Sequence, residues 1–505
     1  MKVVAGRTIG RWAMSRPFLN YINGRWTEPK SDAWFERENP ATGDAVGRFP
    51  NSGATDVADA VAAASAAQDA WRATPAPRRA EVLFRAAELM VQRKEDLSRD
   101  VTVEMGKVLK EARGDVQEAI DMTYYAAGEG RRMFGHVAPS ELPDKFAMAV
   151  RQPHGVVAAI TPWNFPLAIP CWKLMPALVT GNTVVFKPSP YSPVSAANLL
   201  RLLEEAGLPS GVCNLVFGED DAGAALVRDP RVAMVSFTGS LEVGREIAAY
   251  CGREGKRVHL ELGGKNAIIV LDDADLDLAV EGAVWSAFGT SGQRCTAASR
   301  LIVQQRIAPA LTDMLIARAA ALRLGDGLDP ATEVGPVVNR PQLEKVQSYM
   351  EIGRREGAAI ACGGARAAGG GLDRGYFFQP TVIVDVRPEM RIAQEEIFGP
   401  VTDVIACADL DEAVAINNNV PYGLVTSVFT SDVSKAFRAI ERITTGMVYV
   451  NAGTIGAEVH LPFGGTRGTG NGHREAGQAM LDSYTEWKTV YVDYSGRLQK
   501  AQIDR

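Results

Sequence analysis

Between residues 156 and 262, short runs rich in valine and isoleucine alternate with helical stretches, and this alternation restricts the chain to a few architectures. Residues 156–160 read as a strand, and so do 183–187 (TVVFK). A helix follows over about 192–206, stopped by Gly207. Further strands are predicted at 214–217, 232–237 and 258–262, with a helix from Leu241. Such alternation implies βαβ units and a mostly parallel sheet. The ligand crevice of such a sheet lies outside the carboxyl ends of its strands, so residues there deserve first inspection. A second α/β region follows Gly264. Its strands are predicted at 267–271, 300–304, 377–384 and 447–451, and its helices at 275–287 and 308–322.

A chain of 505 residues exceeds one ordinary core, so two or three domains are expected. The net charge of −6 argues against nucleic-acid binding and suits an enzyme with local basic pockets. None of the six cysteines is paired as C-x-x-C, which points away from a metal site and toward reduced thiols in the cytoplasm. No apolar run approaches the roughly 20 residues of a membrane span. Residues 1–17 read as an extension; its basic side chains Lys2, Arg7, Arg11 and Arg16 come without the serine-rich length of a transit peptide.

Several residues at strand ends and turns carry possible chemistry. Cys295, in GQRCT, follows a small-residue turn, and the adjacent Arg294 would favour its thiolate. By itself it reads more readily as a buried, inert thiol. Glu261, in HLELGG, is an acid at the end of an apolar strand, either a base with a raised pKa or a solvated strand end. Asn164, in TPWNFP, lies between two prolines, where its amide could serve an oxyanion or merely a turn. Phe237, Thr238, Gly239 and Ser240 end a strand and open the helix carrying Val243, where free N–H groups suit a phosphate. Lys187 ends its strand as a donor for ribose hydroxyls or as a solvated lysine. Glu396 and Phe398, in EEIFGP, offer a carboxylate and an aromatic ring.

The order TPWNFP, ELGGKNA, GQRCTAASR, EEIFGP and PFGG resembles the aldehyde dehydrogenase superfamily, over a match from about Phe18 to Tyr494. The resemblance implies an α/β fold with a Rossmann-like NAD-binding domain (18–135 and 156–262), a catalytic domain (263–465) and a β oligomerisation flap (137–155 and 481–494). It implies that Cys295 attacks the aldehyde, with the Asn164 amide and the Cys295 N–H holding the oxyanion. Glu261 then activates water against the thioester, and Lys173 relays the proton. Lys187 and Glu396 would grip the riboses, Phe398 the nicotinamide, and Gly239 and Ser240 the pyrophosphate. The rest of the implied cofactor surface is Thr161, Pro162, Trp163, Ser189, Pro190, Phe237, Thr238, Val243 and Leu262.

Within the superfamily, EMGKVLKEARGDVQEAID and Gly456-Ala457-Glu458 are most similar to the α-aminoadipic semialdehyde dehydrogenase (antiquitin-like) branch. That similarity implies substrate contacts at Glu118, Phe165, Arg294, Thr296, Gly456 and Ala457. The substrate expected is a semialdehyde with a distal carboxylate, whether aminoadipic, 2-oxoglutaric or succinic. Pro190 stands where many NAD-preferring members carry a glutamate; NAD is expected, with NADP open. The chain departs from the common spacing by an extra residue near His473. A homodimer or homotetramer is implied, and 489–494 alternates like an edge strand. The rival reading is a non-catalytic relative, which would normally lack the nucleophile or base.

Overall fold

The computed structural model describes residues 17–503. The basic stretch at 1–16 lies outside the described residues. Two seven-stranded sheets and one three-stranded sheet organise the chain. The first sheet runs Arg257–Glu261, Val232–Thr238, Val156–Ile160, Thr183–Lys187, Cys213–Leu215, Asn20–Ile22 and Arg25–Thr27. Its first five strands are parallel, and the N-terminal hairpin adds to the edge antiparallel. Val156–Ile160 and Thr183–Lys187 are buried at every position, which is why they read as continuous apolar runs: helices cover both faces.

The second sheet runs Ala359–Cys362, Thr381–Val384, Val401–Cys407, Ala298–Gln304, Asn266–Val270, Val425–Phe429 and Met447–Val450. Only Ala359–Cys362 is antiparallel to its neighbour. The strand expected from residue 377 begins at Thr381, just after Pro380, which has no N–H to donate. Both sheets follow the strand–helix alternation read from the sequence.

Four helices had no counterpart in that reading: Ala54–Ala73, Ala76–Gln92, Lys94–Met105 and Leu109–Glu129. Ala54–Ala73 packs on the first sheet, and the other three pack on one another and on the helices Ala168–Thr180 and Pro193–Glu205; alanines on three of the four faces weaken the periodic signal. Leu109–Glu129 bears on the site, because Glu111, Asp115 and Glu118 fall at i, i+4 and i+7 on one face. The third sheet orders Thr485–Asp493, Lys145–Pro153 and His136–Pro139, all antiparallel. Its edge strand Thr485–Asp493 exposes Trp487, Tyr491 and Val492. No helix among the described residues is long and apolar enough to cross a membrane.

Candidate active site

Cys295 sits beyond the helix Leu276–Phe288 and a tight turn over Gly289–Gly292, in which Thr290 and Ser291 take φ of 53° and 55°. The strain is held from several sides. The Thr290 N–H and hydroxyl donate to the Glu111 carboxylate, the Ser291 hydroxyl to Gly335 O, and Val338 N to the Gln293 side chain. Gly292 is required there, since a Cβ would lie 2.0 Å from Gly399 O. Asn266 Nδ2 donates to the carbonyls of Cys295 and Ala297, at 2.7 and 2.9 Å, which fixes the backbone of the cysteine.

The thiol is not activated by its neighbour. Arg294 turns from Cys295 to lie over the rings of Phe165 and Trp285, donates from Nε to Thr290 Oγ1 and pairs with Glu111 at 3.5 Å. Burial, followed by the charges of Glu261, Glu396 and Glu118, pushes the Cys295 thiol up to about 12. The expectation that Arg294 favours the thiolate is therefore corrected: sequence adjacency did not set the direction of the side chain.

Glu261 ends its strand buried, and neither carboxylate oxygen meets a hydrogen-bond partner. Burial, then the nearby charge of Glu475, holds its carboxyl well above the usual carboxylate range. Gly464, at φ +147°, passes beside it; a Cβ there would stand 2.7 Å from Glu261 Oε1. Lys173, inside the otherwise apolar helix Ala168–Thr180, donates to Glu475 Oε1 at 2.5 Å and to Ser236 Oγ at 3.1 Å. The sequence reading assigned no role to Glu475. The signal was available in Lys173, since a lysine in an apolar helix needs a buried counter-charge. Asn164 is buried, and its Oδ1 lacks a protein partner.

Cys295 separates two cavities. One is lined by Pro162, Trp163, Asn164, Thr238, Gly239, Ser240, Leu262, Glu396 and Phe398 from the expected set, together with Gln342 and Lys345, which the reading missed. Gln342 Nε2 donates to the carbonyls of Ile397 and Phe398, holding Phe398 at φ 61° with its ring edge-on to Trp163 at 5.4 Å. Glu396 Oε1 accepts from Gly264 N. Six expected cofactor residues do not line this cavity. Thr161 is buried at a strand end, Phe237 lies beneath Gly239, and Val243 is exposed on the helix. Lys187 is buried and donates to Pro188 O and Gly218 O; Ser189 and Pro190 follow it, bonded to Tyr191 N and Arg37 Nε.

The other cavity, of about 300 Å³, is lined by all six expected substrate residues and by Glu261, Cys295, Trp172, Trp285, Phe463 and Glu475. Its charges are unequally engaged. Asp115 is tied to Lys107 and Ala168 N, and Glu111 to Thr290. Glu118 hydrogen-bonds to no described residue, and burial, then Asp115, pushes its carboxyl up to about 8. Among the described residues, no group of three His, Cys, Asp or Glu could hold a metal ion.

The model of the aldehyde dehydrogenase family matches residues 26–490. The chain belongs to the aldehyde dehydrogenase family. It is 43% identical over 477 residues to the alpha-ketoglutaric semialdehyde dehydrogenase of Bacillus subtilis, covering 94% of this chain and 98% of that relative. It is 40% identical to the glutarate-semialdehyde dehydrogenase of Pseudomonas putida, covering 94% and 97%. Among solved structures, the betaine aldehyde dehydrogenase of Staphylococcus aureus in complex with NAD+ superposes with a TM-score of 0.93 at 35% identity, covering 95% of each chain. The dehydrogenase reading stands, and the family's reaction is NAD(P)-dependent oxidation of an aldehyde.

Proposed function

We propose that the chain oxidises a semialdehyde bearing a distal carboxylate to the dicarboxylic acid, with Cys295, Asn164 and Glu261 as its catalytic groups. The observation that carries this reading is Cys295 standing between two cavities, with Asn164 lining one and Glu261 the other. Cys295 Sγ adds to the aldehyde carbon, and its proton passes to water in the cavity as the C–S bond forms. The Asn164 amide and the Cys295 N–H hold the oxygen as it gains charge, an effect of about 3–4 kcal/mol per donor in comparable sites. A bound nicotinamide supplies the hydride acceptor. Glu261 acts in its ionised form, which burial and Glu475 disfavour, and draws a proton from the water that attacks the thioester. Lys173 holds Glu475 beside that carboxylate and so governs its charge.

The cavity on the Asn164 side suits a dinucleotide. Ser240 caps the helix Leu241–Glu254, so first-turn N–H groups face it, a ready anion site. The hydroxyls of Thr161 and Thr238 are buried without protein partners. Gly239 and Ser240 would hold the pyrophosphate, and Glu396 and Lys187 the riboses; two Lys187 donors are already used and a third remains. NAD is the proposed cofactor, in line with the NAD+ held by the solved relative. Arg294, between two aromatic faces at the wall of the larger cavity, supports a carboxylate at the far end of the substrate. The names of the two semialdehyde dehydrogenases point the same way. Aminoadipic, 2-oxoglutaric and succinic semialdehydes are the candidates. The exposed edge Thr485–Asp493 supports pairing with a second copy, as a homodimer or homotetramer, and reduced thiols suit the cytoplasm. Comparing kcat/KM across these semialdehydes and neutral aldehydes, with NAD and NADP, tests the reading. A preference for neutral aldehydes would overturn the substrate assignment.

A further inference from the structure

Glu261 must lose the proton it takes from water before the next turnover, and its surroundings contain an unused acceptor. His259 lies two residues earlier on the same strand, hence on the same face, fully buried. Its Nε2 stands 3.8 Å from Glu261 Oε1, and neither ring nitrogen has a protein hydrogen-bond partner. A buried imidazole left unsatisfied on both sides is costly and calls for a use. The ring of His473 stands beside it, centroids 5.2 Å apart and tilted at 51°, and His473 is exposed. His473 occupies the tail segment that carries one residue more than the family's common spacing. That segment is laced to the strand: Leu260 N donates to Asn471 Oδ1, and Asn471 Nδ2 to Val258 O. The other polar neighbours are closed among themselves. Lys173 is bound to Glu475 and Ser236, and the Ser236 hydroxyl to Tyr484.

We propose that His259 and His473 form a proton exit that carries the hydrolytic proton from Glu261 to solvent. This rests on Glu261 being the base. In the step served, a water O–H bond breaks, its oxygen adds to the thioester carbon, and the C–S bond breaks with its electron pair passing to Cys295 Sγ, which takes a proton from cavity water to become the thiol again as the product acid ionises. The proton goes to Glu261, then to His259 Nε2, while the other ring nitrogen of His259 releases a proton to His473 through a water bridging the two tilted rings. His473 exchanges it with bulk water, and the His259 ring turns over to restore its tautomer. No electrons change hands along the path. Burial, then the charges of Lys173, His473 and Arg474, disfavours a standing imidazolium at His259, so the proton passes through without resting there. His259 is a positioning residue that acts through Glu261.

The test uses full-length protein and p-nitrophenyl acetate, which acylates Cys295 without cofactor and so isolates deacylation. His473→Gln, exposed and safe for folding, and His259→Gln should keep the acylation burst and slow deacylation roughly tenfold or more. Their double variant should be no slower than His259→Gln alone, and imidazole buffer should restore the rate of His473→Gln. Deacylation within about twofold of the parent in folded His473→Gln, with an unchanged pH profile, overturns the proton exit. Ester hydrolysis that persists in Cys295→Ala, or deacylation at the parent rate in Glu261→Gln, instead refutes the Cys295 and Glu261 reading on which it rests.

Discussion

Replacing Arg294 with methionine isolates the group proposed to meet the distal carboxylate. The methionine keeps a stem against Phe165 and Trp285, so lost packing should stay under about 1 kcal/mol. Glu111 is not orphaned, because it retains the Thr290 N–H and hydroxyl. What disappears is the guanidinium. A hydrogen bond to a charged group contributes about 1.5–3 kcal/mol, and Arg294 already shares its charge with Glu111 at 3.5 Å, which favours the lower half of that range. At about 1.4 kcal/mol per factor of ten, kcat/KM for a carboxylate-bearing semialdehyde should fall roughly tenfold to fortyfold, mostly through KM. A neutral aliphatic aldehyde of similar length should change less than about threefold, and an aldehyde with a distal quaternary ammonium should improve, with Glu118 nearby. Initial rates of NADH formation at saturating cofactor give all three. Equal losses on the charged and neutral substrates would refute the argument, since they would mark Arg294 as a structural strut.

Glu261→Gln should keep a first-turnover burst of NADH while steady-state kcat drops roughly 10²–10⁴-fold, read by stopped-flow absorbance. Gly464→Ala forces a Cβ into an unfavourable φ beside Glu261 Oε1; kcat should fall with KM little changed, and Tm should drop by the equivalent of about 1–3 kcal/mol. Buried Glu104 caps the helix Pro193–Glu205 through the Val194 and Ser195 N–H groups, and burial pushes its carboxyl up to about 8. Since the folded state holds that proton more tightly than the unfolded chain, its contribution is greatest below about pH 4.3 and is lost as pH rises toward 8. Denaturant unfolding of Glu104→Gln should accordingly lose less stability than the parent between pH 5 and about pH 8.5, and parallel profiles would contradict it.

Much of the frame was legible in the chain itself. Val156–Ile160 and Thr183–Lys187 are buried on both faces, so their composition alone marked parallel strands, and Glu261 at a strand end pointed to a cavity that it lines. Cys295, Asn164 and Phe398 were found because tight turns and prolines leave local signatures. The helices over 54–129 were missed, because faces built largely of alanine, or of mixed polar and apolar residues as in Lys94–Met105, lack the contrast that reveals a period. With Leu109–Glu129 went the company of Glu111 and Asp115 around the substrate cavity.

Backbone geometry and turn chemistry act between neighbours, which is why residue order alone determined the sheets and the strand-end candidates. Charge pairing acts through space in a medium that screens poorly, so tertiary packing decided it. Lys173 met Glu475 across 302 positions, Arg294 turned from the adjacent Cys295 toward Glu111, and His473 came to rest on His259. A buried ion takes whichever counter-charge the fold brings within a few ångströms, and no local pattern records that choice.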